Sequence, residues 1–222
     1  MRVTEVLEQI DEVCQQYDKP KPLVICVSKT YPCCAIEEAY SYGMNDFGEN
    51  KVQELLEKIE QIDLPINWHL IGHLQTNKVK YIIDKVKLIH SIDSIKLLNE
   101  VNAQAKKHGI ISNVLLQINV SKEESKYGFY EEELDNVLAH VTTLTNVQVK
   151  GLMTIAPFVE NPHDNAKYFS RLYEIYVDIQ KQNLDNISME ILSSGMSNDF
   201  KVAIEKGSNC VRIGTAIFGS RQ

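Results

Sequence analysis

Eight short apolar runs, at 23–28, 45–48, 67–71, 88–92, 114–120, 147–153, 188–193 and 210–213, are separated by stretches with helical periodicity. Four of those stretches, at 51–62, 94–107, 131–143 and 165–182, are plainly amphipathic. Strands with little polar alternation are buried on both faces, and a strand-then-helix repeat of such strands gives a parallel sheet covered by helices. Eight units in 222 residues predict α/β architecture of one kind, a single (β/α)8 TIM barrel spanning 1–222 as one domain. An open doubly wound sheet is the alternative. Val3, Val6, Leu7, Ile10, Val13 and Cys14 recur at helical spacing before Pro20, so an extra N-terminal helix precedes the first strand.

Charge narrows the partners. Thirty acidic residues against 23 basic ones leave a formal net charge of −7, which argues against generic binding to nucleic acid or an anionic membrane surface, since both need a positive field. The acidic, interrupted N-terminus is unlike a targeting peptide, and no apolar run reaches the length of a membrane span. Five cysteines without a C-x-x-C pair fit neither a disulfide framework nor a zinc site. Reduced thiols in a cytoplasmic protein are the expectation, with no metal.

In a barrel of this type the chemistry gathers at the C-terminal ends of the strands. Lys29 follows the first strand, and alternation that turns Leu23, Ile25 and Val27 inward turns Lys29 the same way. A lysine emerging there either snorkels to water or, with its pKa lowered, provides the amine of a Schiff base. The seventh and eighth strands end in Ser193-Ser194-Gly195-Met196-Ser197 and Arg212-Ile213-Gly214-Thr215. Loops in these two positions are the recurrent phosphate site of the fold. Gly195 and Gly214 permit close backbone approach, while Ser193 and Thr215 offer hydroxyls. The plainer reading makes Gly195 a turn residue and Ser197 a helix N-cap with Asp199 in the first turn. A phosphate beside a Schiff-base lysine reads as pyridoxal phosphate.

The chain resembles the pyridoxal phosphate homeostasis proteins, whose fold is similar to the N-terminal barrel of alanine racemase. The matching stretches are Val27-Ser28-Lys29-Thr30, Phe47-Gly48-Glu49-Asn50-Lys51-Val52-Gln53-Glu54 and His69-Leu70-Ile71-Gly72-His73-Leu74-Gln75-Thr76-Asn77-Lys78. Ser125-Lys126-Tyr127-Gly128-Phe129, Gly151-Leu152-Met153 and Gly195-Met196-Ser197-Asn198-Asp199 follow in order, and Val211-Arg212-Ile213-Gly214-Thr215-Ala216-Ile217-Phe218-Gly219-Ser220-Arg221 closes the series. The resemblance implies that Lys29 carries the cofactor as an internal aldimine. It implies further that Ser193, Gly195, Gly214 and Thr215 surround the phosphate, that Arg212 faces the pyridine nitrogen, and that Asn50 lies near the ring. Tyr31 stands where the family more often has lysine, Ser194 where it has methionine and Leu70 where it has phenylalanine.

The implied function is reversible binding of pyridoxal phosphate in the service of its supply and of amino-acid balance, with apo-enzymes as acceptors. The chain ends at Gln222, just past the eighth strand, so the further β-domain of a racemase, its second base and much of its dimer interface are expected to be missing. A monomer without turnover is the expectation. A small pyridoxal phosphate-dependent racemase and a barrel for a phosphorylated metabolite are the alternatives. His69 and His73 are four apart but straddle Gly72 at a strand end, outside any H-E-x-x-H pattern. His69 is read as a strand residue supporting the pocket. Glu49 and Asn50 are read either as a helix cap or as pocket residues, Trp68 as core, and Tyr168, Tyr173 and Tyr176 as helix packing.

Overall fold

Every apolar run becomes a strand. The computed structural model describes residues 2–219, in which β1 (Leu23–Val27), β2 (Asp46–Glu49), β3 (Asn67–Leu70), β4 (Leu88–Ile92), β5 (Ser112–Gln117), β6 (Val147–Met153), β7 (Ile187–Ser193) and β8 (Cys210–Ile213) pair in sequence order. All ladders are parallel, and β1 closes on β8 with Leu23 opposite Cys210 and Ile25 opposite Arg212. The helices are α1 (Val3–Gln16), α2 (Cys33–Ser41), α3 (Val52–Gln61), α4 (Ile95–His108), α5 (Leu134–Val141), α6 (Ala166–Gln180), α7 (Phe200–Glu205) and α8 (Thr215–Phe218). No described helix is long and apolar enough to cross a membrane.

Period-two alternation sorts the strand side chains between two layers. Val24, Cys26, Phe47, Leu70, Val211 and Ile213 face outward and join the main core between the strands and their helices. Ile25, Val27, Ile71 and Cys210 face inward, against Leu23 and Ile191, and Ile191 also meets Leu88, Leu115 and Met153. The inward direction expected for Leu23, Ile25 and Val27 is therefore correct. A side chain at Gly48 has no room here, because a Cβ would sit 2.8 Å from Ile25 and 3.0 Å from Ile71.

The extra N-terminal helix buries Val3, Val6, Ile10 and Val13. It packs against α7 and α8, and the Arg2 amide donates to the Ile217 carbonyl at 3.0 Å. Helix α4 shows how sequence sets a boundary: the Ser94 hydroxyl accepts the Leu97 amide at the start, and Gly109 takes the left-handed conformation at the end.

Three segments depart from expectation. The run 114–120 leaves the sheet at Gln117, because Ile118 bridges to Phe129 and the Asn119 side chain donates to the Glu123 and Lys126 carbonyls. These local hydrogen bonds pull the loop back over the barrel mouth. The stretch 131–143 divides into a 3-10 turn, Glu131–Glu133, followed by α5. Between β3 and β4 the connection is a 3-10 turn, Thr76–Tyr81, with no α-helix.

Candidate functional site

A cavity of about 330 Å³ opens at the C-terminal ends of β1 and β8, a size suited to a small cofactor. Lys29, Asn50, Arg212, Gly214 and Thr215 line it, as do Ser197 and the apolar Ile155, Phe158 and Met196. Five of the seven expected site residues thus come together. Ser193 and Gly195 do not line the cavity.

Ser193 lies inside the barrel below the cavity floor, fully buried. Its hydroxyl oxygen accepts from Arg212 Nη1 at 2.6 Å and meets His90 Nδ1 at 3.1 Å. That hydroxyl, expected at the phosphate, is engaged here with Arg212 and His90. Gly195 has φ of +86°, and a Cβ would come within 2.6 Å of Ala203 and 2.9 Å of Phe200, so it lets the loop press onto α7. Its carbonyl accepts the Arg212 amide at 3.0 Å. Gly195 therefore shapes the wall without forming its surface.

Ser197 is the hydroxyl that does reach the cavity. It is no cap for α7, whose N-cap residue is Asp199. Instead Ser197 Oγ accepts the amides of Gly214 and Ala216, each at 3.2 Å, which leaves its own proton without an acceptor among the described residues. Asp199 is fixed by Asn165 Nδ2 at 2.8 Å and by the Met196 amide at 2.7 Å. Ser208 ties the two strands beneath: its hydroxyl is 2.9 Å from the Leu192 carbonyl and 3.0 Å from those of Ser194 and Cys210. Ser208→Ala is expected to lower stability by about 1–3 kcal/mol, the worth of a buried hydrogen bond with a carbonyl left unmet. Urea denaturation measures this, and an unchanged midpoint would dismiss the tie.

Lys29 sits half-buried in a turn braced from both sides. Lys58, from α3, donates to the Ser28 carbonyl, Glu49 Oε1 and Glu54 Oε1, each at 2.7 Å, which uses all three ammonium protons. Ser28 Oγ donates to the same Glu49 oxygen at 2.6 Å, and the Thr30 amide donates to Glu54. Thr30 holds φ of +69°, a left-handed conformation uncommon for a branched residue, and the Glu54 contact supports it. Tyr31, the departure from the family pattern, stacks on Phe218 and donates to the Gly219 carbonyl at 2.6 Å. Tyr31 thereby fastens this loop to the end of α8. The matched residues Ser220 and Arg221 lie outside the described residues.

The remaining expectations resolve as follows. Glu49 is fully buried under the turn, while Asn50 lines the cavity; neither caps α3, whose N-cap position is Lys51. His73 stacks on Tyr127 and contacts Asp93 at 2.7 Å. No group of three metal-binding side chains occurs among the described residues. Trp68 packs on Phe47, and Tyr176 donates to the Met189 carbonyl beneath α6. Lys58, Glu54 and Ser208 went unnoticed because each reads locally as an ordinary helix-face or turn residue. His90 did carry a signal, a titratable residue beside Ser91 inside the otherwise apolar run 88–92.

Electrostatically the cavity opposes the chain. Among the described residues two cations, Lys29 and Arg212, line it with no carboxylate, in a protein of net charge −7. Arg212 is 4% exposed, and no carboxylate stands within ion-pair distance of it among the described residues. A buried cation so placed calls for an acceptor supplied from outside.

Residues 3–222 match the family model described as alanine racemase, N-terminal domain. The pyridoxal phosphate homeostasis protein of Aquifex aeolicus is 44% identical over 224 residues, which span 100% of this chain and 97% of that one. PipY of Synechococcus elongatus, solved with PLP bound, is 32% identical with a TM-score of 0.84, covering 96% of this chain and 99% of that chain. Alanine racemase of Corynebacterium glutamicum, at 15% identity and a TM-score of 0.70 over 97% of this chain and 62% of that chain, shares the fold. The chain belongs to the alanine racemase N-terminal domain family and, within it, to the pyridoxal phosphate homeostasis proteins.

Proposed function

We propose that this chain binds pyridoxal phosphate at the barrel mouth, holds it reversibly through Lys29 and yields it to apo-enzymes, without turning over amino acids itself. The chain acts as a single-domain monomer of the cytosol; five free cysteines suit such a reducing compartment. One observation carries the reading: among the described residues the cavity sets a lysine amine and a buried arginine, with no lining carboxylate, beside the hydroxyls of Ser197 and Thr215.

Those groups fit the cofactor part by part. When bound, pyridoxal phosphate supplies an aldehyde that an amine takes up reversibly and a ring that withdraws electrons. Lys29 is the amine within reach of that aldehyde, and Asn50 lies beside the ring. Ser197 offers its unengaged proton to the phosphate, together with Thr215 and the start of α8, so this hydroxyl takes the part first assigned to Ser193. Arg212 meets the pyridine nitrogen as a donor. Being permanently protonated, it cannot accept the ring proton and favours an unprotonated ring, a weak electron sink. Racemisation needs a base on each ring face, and among the described lining residues Lys29 is the sole group suited to that work.

The test combines three measurements on protein loaded with pyridoxal phosphate. A visible absorption band, fixed by borohydride as added mass on Lys29, supports the binding reading. Passage of the cofactor to an apo-enzyme supports the carrier role. Racemisation of any common amino acid at an enzymatic rate of about 1–10³ s⁻¹ would replace the carrier with an enzyme.

A further inference from the structure

A line of polar side chains crosses the barrel interior from its mouth to the opposite end. Arg212 Nη1 donates to Ser193 Oγ at 2.6 Å, Ser193 Oγ lies 3.1 Å from His90 Nδ1, His90 Nε2 lies 3.1 Å from His69 Nδ1, and His69 Nε2 lies 2.9 Å from Asp46 Oδ1. Five strands contribute one residue each: β8, β7, β4, β3 and β2. Ser193 and His90 are fully buried, His69 is 1% exposed, and Asp46, at the first position of β2, ends the line.

Chemistry fixes the direction of every bond. A guanidinium only donates and a carboxylate only accepts, so with both imidazoles neutral the Asp46 end obliges Ser193 Oγ, which accepts from Arg212, to send its own proton to His90 Nδ1. With Nδ1 accepting, neutral His90 carries its proton on Nε2 and donates to His69 Nδ1. The same logic puts the His69 proton on Nε2, donating to the Asp46 carboxylate. Both imidazoles are neutral in this scheme. Burial lowers the pKa of His69 despite the opposing pull of Asp46, and burial with the charges of His69 and Arg212 lowers that of His90 well below the ordinary value. The other groups facing the line are Lys87, 3.4 Å from Asp46, the Asn67 side chain on Asp46, the Cys210 thiol beside Ser193, and Asp199, whose charge acts on Arg212.

We propose that Ser193, His90, His69 and Asp46 are positioning residues that set Arg212 through this one-way chain. Ser193 takes one Nη1 proton and the Thr154 carbonyl takes one from Nη2 at 2.8 Å, so the guanidinium plane is pinned at both tips. Its remaining N–H groups are thereby aimed at the cavity. Asp46 sets the polarity of the line from the far end. The consequence for cofactor binding rests on the function proposed above, whereas the chain itself is a property of the unliganded protein.

The experiment therefore begins without cofactor. In protein labelled with ¹⁵N-histidine, His69 and His90 are expected as neutral Nε2–H tautomers at neutral pH, and the Arg212 side-chain N–H signals are expected to be resolved by slow rotation. Ser193→Ala and Asp46→Ala should each broaden the Arg212 signals, while Ser193→Thr restores them. Lys87→Ala, which removes a salt bridge to Asp46 from outside the line while the His69–Asp46 bond stays, should leave them in place. With pyridoxal phosphate added, Ser193→Ala should raise the Kd by roughly tenfold, the lower end of the worth of a hydrogen bond from a charged group, and displace the visible band, a change that mere loss of stability would not produce. An Nδ1–H tautomer or an imidazolium at either histidine overturns the proposal, as does a Ser193→Ala protein whose Arg212 signals are unchanged. If the wild-type protein takes up no cofactor, the functional reading falls, and the histidine and arginine signals still decide the chain.

Discussion

Lys29→Ala is expected to abolish covalent capture of pyridoxal phosphate while leaving the barrel folded. The amine is what bonds the aldehyde carbon, and alanine has nothing to replace it. Lys29 lies past the end of β1, half-buried at the cavity wall, so its loss should move stability by no more than about 1 kcal/mol. Arg212, Ser197 and Thr215 remain, so noncovalent affinity should persist at a reduced level. Lys29→Arg separates the two contributions, since it keeps the positive charge and provides no amine for the bond. Borohydride treatment followed by mass spectrometry reads the result. Added mass on a different lysine in either variant would move the attachment point and defeat the assignment.

Much of this protein was legible in its sequence, for identifiable reasons. Strand number and position follow from burial on both faces, which erases polar alternation and leaves apolar runs such as 88–92 and 210–213. The lysine at the mouth follows from period two, because a strand with Ile25 and Val27 inward carries Lys29 toward the same side. The division of labour between the serines was not legible. Ser193, Ser194 and Ser197 are alike in sequence, and only the twist of the barrel turns Ser193 onto Arg212 and Ser197 onto the start of α8. The buried polar chain was hidden for a related reason. Its members are scattered over positions 46 to 212, and no local pattern reports that closure of the barrel brings five strands' inward side chains into one line.

The cavity draws its meaning from the contrast between its charge and that of the molecule. The net negative charge repels phosphorylated metabolites, but salt screens that repulsion beyond the Debye length of about 8 Å at physiological ionic strength. Lys29 and Arg212 then act at short range in a partly desolvated cavity, where charge-assisted hydrogen bonds are strongest. Capture that depends on a few short contacts and one reversible covalent bond suits a protein that must also let its ligand go. The exposed rim, where Phe158 is 90% exposed and Met196 37%, leaves the mouth open to solvent.

Lys58→Met should produce the largest loss of stability, because it strips one cation from a buried site built around it. The Lys58 side chain is 7% exposed, Glu49 is 0% exposed and Glu54 is 22% exposed. Removing one partner of a buried ion pair costs about 3–5 kcal/mol, since the opposite charge stays buried without compensation. The Ser28 carbonyl loses its donor as well, so the turn that carries Lys29 should loosen and cofactor affinity should fall alongside stability. The pH dependence follows from Glu49. Burial holds its carboxyl above the ordinary value, against the lowering effect of hydrogen bonds from Lys58 and Ser28. Folded protein thus keeps that proton where the unfolded chain has released it, so this contribution is full below the unfolded carboxylate pKa and is lost as pH rises through the folded one. Without Lys58 the folded value climbs further, and the variant has more to lose on the way to neutrality. The stability gap between wild type and Lys58→Met should accordingly be widest near neutral pH and narrow toward acid, as Glu49 takes up its proton in each protein. Urea denaturation of the two proteins at about pH 5 and about pH 7.5 measures that gap. A gap that stays constant, or widens in acid, would mean that Lys58 acts through packing alone and that Glu49 is not the charge it answers.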